Sequence, residues 1–125
     1  MENNIYREYI LEHYKHPLNK GVLPDATFSY KENNPLCGDE IEFFVRVDPT
    51  GQIEKATFEG KGCAISQAAG SILTEYVKGK HVKEVVHLSA SDIENILGVS
   101  LSTVRIKCAL LPHQAMVQGW NKYNL

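Results

Sequence analysis

The sequence predicts an α+β fold: an N-terminal helix, a three-stranded antiparallel meander, and C-terminal helices packed on one face of the sheet. Three observations carry that expectation. Apolar residues recur at helical spacing towards both ends, the period drops to two between about residues 27 and 59, and turn-forming residues separate these segments. At 125 residues the chain supports one core, so residues 1–125 are expected to form a single domain.

The first helix is expected over 5–15, with Tyr6, Tyr9, Ile10, His13 and Tyr14 on one side. Pro17 ends it, and "HPLNKGVLPD" reads as a turn-rich connector. In the meander, Phe28 and Tyr30 share a face, as do Ile41, Phe43, Val45 and Val47. Glu40, Glu42, Arg46 and Asp48 fall on the opposite, wet face. "DPTG" at 48–51 is a turn signal, and 52–59 supply the returning strand. A second helix follows Cys63, with Ile65, Ala68, Ala69, Ile72, Leu73, Tyr76 and Val77 on its buried face. Gly79 is its left-handed stop. Val82, Val85 and Val86 mark a short helix. Ser91 to Glu94 form a capping-box pattern that opens another, closed by Gly98. In the last helix Ala109, His113, Met116, Val117 and Trp120 form a stripe. Proline is best tolerated in a first turn, so Pro112 predicts a start near residue 109.

Composition narrows the function. The chain is 43% hydrophobic and 22% charged, as expected of a soluble globular protein. A formal charge of −2 without a Lys/Arg cluster offers no footprint for nucleic acid or for an anionic membrane surface. The charged, amphipathic N-terminus lacks the composition of a signal or transit peptide, and no apolar run approaches a membrane span. A cytoplasmic location is expected.

Three cysteines, with 25 and 44 residues between successive ones, make neither a disulfide framework nor a paired structural zinc motif. In a reducing compartment they are either inert core residues or they converge in space. Their contexts favour convergence. Cys37 lies in the turn "NPLCGDE", two residues before Asp39; Cys63 precedes a helix; the Pro112 reasoning puts Cys108 at a helix start as well. At a helix N-terminus the dipole and unpaired N–H groups favour the thiolate, and Lys107 beside Cys108 would act in the same sense. Three thiolates and one carboxylate form a four-ligand set suited to Zn²⁺ or an iron–sulfur cluster. His13 and His16 read as surface or partly packed groups, and His113 as a supporting group near the last helix start. His81 and His87 carry no signal.

The blocks "NPLCGDE", "FEGKGCAISQAAGSILTEYVKGK" and "RIKCALLPHQAM", with the start "YREYILEHYKHPLNKGVL", resemble the IscU/SufU (NifU N-terminal) iron–sulfur scaffold family through nearly the whole chain. The resemblance implies a non-enzymatic scaffold. It receives sulfur from a cysteine desulfurase, builds a labile [2Fe–2S] cluster and passes it to apo iron–sulfur proteins. Carried over, Cys37, Cys63 and Cys108 are the cluster or metal thiolates and the candidate sulfur acceptors. Asp39 is the carboxylate that keeps the site exchangeable. A homodimer around the cluster is compatible with this reading.

Two departures open an alternative. Typical IscU members carry His before the third cysteine, whereas Lys107 stands here, as Lys or Arg does in SufU-type members. Those resemble zinc-dependent persulfide acceptors with sulfurtransferase activity, although the extra segment that SufU members usually have between the second and third cysteines is missing. In addition, "LSTVR" at 101–105 replaces the LPPVK motif of chaperone-served members, so a dedicated Hsp70 partner is not expected.

Overall fold

The computed structural model describes residues 2–35, 38–98 and 103–125, with side chains described from residue 8 in the first segment and from residue 105 in the last. The elements run in the expected order: α1 (Glu2–Lys15), β1 (Phe28–Asn34), β2 (Asp39–Val47), β3 (Ile53–Lys61), α2 (Ala64–Val77), α3 (Val82–Val86), α4 (Ala90–Leu97) and α5 (Thr103–Tyr123). The strands form an antiparallel sheet in the order β1-β2-β3. Tyr6 and the first two residues of "LSTVR" fall outside the side chains and residues described.

The period-two pattern sets the register. Tyr30, Phe43 and Phe58 stand in one cross-strand row, and Phe28, Val45 and Ala56 in the next. Of these six, all but Tyr30 are buried. α2 and α5 cover this face, with Gly70 of α2 against the Phe58 ring and Gly119 of α5 against Phe28 and Tyr30. A methyl group at Gly70 would approach Phe58 Cδ2 to 2.7 Å, so the glycine is what allows the helix to lie this close to the sheet.

Four features differ from the sequence reading. The outer face is not wholly wet, because the cross-strand neighbours Phe44 and Thr57 are both buried there. The connector runs along β3, with Phe58 N–H donating to the Asn19 carbonyl and Gly21 N–H to the Phe58 carbonyl. The capping box sits two residues early: the Ser89 hydroxyl accepts from Asp92 N–H, and the Asp92 carboxylate accepts from Ser89 N–H. Asp92 at the third helical position does the work assigned to Glu94, and Gly98 closes the helix at φ +76° as expected.

The fourth difference concerns α2, which is buried nearly all round because the sheet lies on one side and α1 on the other. Its polar residues are therefore paired inside the protein. Ser71 Oγ accepts from Leu18 N–H at 2.8 Å and lies 2.7 Å from His13 Nδ1. Lys20 Nζ donates to Gln67 Oε1, and Asn19 Nδ2 to Thr74 Oγ1. These bonds hold the connector and α1 against α2. Among the described residues, no helix is long and apolar enough to cross a membrane.

Candidate metal centre

Asp39 opens β2, and pairing of Glu40 with Lys61 and Ile41 with Gly60 brings it beside the end of β3. A side chain at Gly60 would run into the Glu40 carbonyl, so the strands close up only around glycine. Two residues on, Cys63 occupies the N-cap of α2 with extended backbone angles, and its side chain makes no capping bond. The sulfur is therefore left to face Asp39. Oδ1 of Asp39 accepts the Cys63 N–H at 3.1 Å, and Oδ2 accepts the thiol at 3.3 Å. One buried carboxylate thus fixes both the backbone and the sulfur of Cys63. Gly62 makes room for this. A methyl group there would lie 2.6 Å from Ser66 Oγ and 2.7 Å from Asp39 Cγ.

Cys108 reaches the same place from α5. A carboxylate oxygen of Asp39 and the sulfurs of Cys63 and Cys108 all lie within 4.8 Å of one another, with Cys108 and Asp39 buried and Cys63 exposed. A tetrahedral ion at about 2.0–2.3 Å from each donor needs ligand atoms somewhat closer than this, a contraction within reach of side-chain rotation. The donor set suits the expected occupants. Thiolates favour zinc and iron, and the proton that Cys63 shares with Asp39 is the one an ion would displace. Cys37 lies outside the described residues.

The placement of Cys108 corrects the sequence reading. α5 starts at Thr103, so Cys108 sits in its second turn and Pro112 lies inside the helix. Proline there forgoes the N–H that would bond the residue-108 carbonyl, but one lost bond is a small fraction of what the packing of α5 on β1, β2 and α2 stabilises. The prolines of helices mark a cost, and burial can offset it. Lys107 is the chain neighbour of Cys108 but points about 100° away around the helix. It is exposed and lines a shallow groove of about 200 Å³ with Asn33, Pro35, Leu111 and Gln114, beside the end of β1.

His113 is not a supporting group of this centre. Its Nε2–H donates to the Val85 carbonyl at 2.8 Å, tying α5 to α3, and burial holds its pKa below the ordinary value despite that bond. His13 is lowered for the same first reason. In each case the unfolded imidazole, with a pKa of about 6.5, binds a proton that the folded one resists. Stability is therefore full above about pH 6.5 and falls as pH drops below it. The urea midpoint is expected to decline from pH 7 to pH 5, and His113→Asn should flatten that decline while lowering the midpoint at pH 7. An unchanged slope would count against the buried neutral imidazole. His81, which carried no sequence signal, caps α3 through Nδ1 and donates Nε2–H to the Thr50 carbonyl. Its role lies in joining the 48–51 turn to α3.

A family model described as the NifU-like N terminal domain matches residues 5–125. The chain is 39% identical to the zinc-dependent sulfurtransferase SufU of Bacillus subtilis, over 94% of this chain and 90% of that protein. It is also 39% identical to the iron–sulfur cluster assembly scaffold protein IscU of Aquifex aeolicus, over 85% of this chain and 68% of that protein. The crystal structure of the N-terminal part of a NifU-like protein from Brucella abortus superposes with a TM-score of 0.77 over 98% of this chain and 96% of that one. At 19% identity it speaks for the fold alone.

Proposed function

The chain belongs to the NifU-like N-terminal domain family, and from that premise we propose that it is a cytoplasmic iron–sulfur cluster assembly scaffold. It takes sulfur from a cysteine desulfurase, assembles a labile [2Fe–2S] cluster and hands it to apo-proteins. The observation that carries this reading is the approach of Asp39, Cys63 and Cys108 to within 4.8 Å from three separate elements. Cys37 would complete the set, and a second copy of the chain could share the cluster. The cysteine thiolates would hold the iron, and Asp39 would keep the site open to exchange, since a carboxylate is a harder and weaker ligand than thiolate. Sulfur uptake is a thiol exchange. A cysteine thiolate of this chain attacks the outer sulfur of the desulfurase persulfide, the S–S bond there breaks, the desulfurase thiolate leaves, and the persulfide is now on this chain.

Lys107 favours a second reading, a zinc-dependent sulfur acceptor of the SufU kind. There zinc would sit on the same residues and hold the thiolates deprotonated. Anaerobic purification with metal analysis and visible absorption separates the two. Iron with sulfide and charge-transfer bands supports the scaffold. Colourless protein with zinc, together with persulfide uptake from a desulfurase, supports the acceptor. Protein that takes up neither metal nor sulfur overturns both.

If Lys107 acts by its charge, Lys107→Met should leave the fold intact and slow sulfur uptake by roughly three- to tenfold, because a cation near a thiol favours its reactive form. Lys107→His should add an imidazole donor and retain the cluster more firmly. Uptake rates equal to wild type in Lys107→Met would make it a solvated lysine with no part in the chemistry.

A further inference from the structure

Ser66 has no part in the functions above, yet it is fully buried at the third position of α2, beneath the centre. Its hydroxyl donates to the Cys63 carbonyl at 3.1 Å, and the same oxygen lies 3.9 Å from Cys63 Sγ. Buried serines in a first helical turn commonly satisfy backbone groups, and the carbonyl bond alone would do that. The sulfur contact adds something else. Among the described residues, the side-chain oxygens in hydrogen-bonding range of Cys63 Sγ belong to Asp39 and Ser66. The carboxylate can only accept. Once Cys63 has given up its proton to bind a metal, a thiolate facing Asp39 loses that bond, and the Ser66 hydroxyl is the group able to donate in its place.

We infer that Ser66 is a positioning residue for the Cys63 thiolate: on metal binding its hydroxyl turns from the Cys63 carbonyl to the sulfur. The turn is a rotation about one side-chain bond, and the carbonyl it leaves still accepts Gln67 N–H at 3.2 Å as the first bond of α2. A hydrogen bond to a metal-bound thiolate draws electron density from the sulfur, which weakens it as a donor and as a nucleophile. Ser66 therefore restrains Cys63 in the loaded site.

This inference rests on the metal-site reading, and the test separates the two. Cobalt(II) is added to the metal-free protein, and the sulfur-to-cobalt charge-transfer band is recorded for wild type, Ser66→Ala and Ser66→Thr. Ser66→Ala should bind cobalt and move the band to lower energy, while Ser66→Thr, which keeps a hydroxyl, should restore it. Iodoacetamide should alkylate Cys63 of the zinc-loaded Ser66→Ala protein about three- to tenfold faster than wild type, as expected for loss of one modest hydrogen bond. A Ser66→Ala band that superposes on wild type, with equal alkylation rates, overturns the role of Ser66 and leaves the metal site standing. Wild-type protein that takes up no cobalt overturns both. If Ser66→Ala does not fold, Ser66→Cys gives the reading: its weaker S–H donor should shift the band part way, and no shift overturns the inference.

Discussion

Gly62→Ala is expected to lower zinc or cobalt affinity by about 10- to 100-fold while leaving α2 and the sheet in place, the range seen when groups supporting a metal ligand are removed. The added methyl would sit 2.7 Å from the Asp39 carboxyl carbon and 2.6 Å from Ser66 Oγ, closer than side-chain carbons come to such atoms. Ser66 Oγ can swing aside about its own side-chain bond, but the buried Asp39 carboxylate must shift as a whole, and with it both bonds that orient Cys63. The atoms it meets belong to the centre rather than to the hydrocarbon core, and φ +159° at residue 62 adds a local backbone cost just before α2. Competition with a chromophoric chelator measures the affinity, and circular dichroism checks the helix. Wild-type affinity in a folded Gly62→Ala protein would show that the carboxylate is not needed where the structure puts it.

Asp39→Ala should act in two opposite directions. Removing the carboxylate leaves the Cys63 N–H without its acceptor, which should destabilise the metal-free protein by about 1–3 kcal/mol. In the loaded protein the weak, exchangeable ligand is gone, so cluster transfer to an apo-ferredoxin at equal loading should slow. Asp39→Asn separates the effects: it keeps an oxygen for the amide and loses the charge, so stability should be largely restored while transfer stays slow. Transfer faster than wild type in Asp39→Ala would reverse the role assigned to the carboxylate.

The meander was legible because strand periodicity and burial coincide on one face, and Phe43, Val45 and Phe58 follow the pattern directly. Cys63 was legible too, since two glycines before an apolar helical stripe mark a helix start. The sequence misplaces Cys108 because Pro112 signals only its local cost, and a long helix packed on the sheet carries that cost. The polar side chains of α2 were opaque for a related reason. Gln67, Ser71 and Thr74 look like a wet face until α1 and the connector are folded over them. Partners such as Leu18 and Asn19 lie more than fifty residues away in the chain, beyond any local pattern.

The three groups of the centre are drawn from distant points: Asp39 and Cys63 are 24 residues apart, and Cys108 comes from the last helix. An ion gripping all three would clip two long loops shut, and an open chain could match that grip only by surrendering the freedom of both loops. Cargo and tertiary structure are thereby made interdependent. Any motion that lifts the start of α5 from the sheet breaks the clip at Cys108, so the chain would let go of its load by local unfolding well before it melts, and a loaded chain would melt at a higher temperature than an empty one.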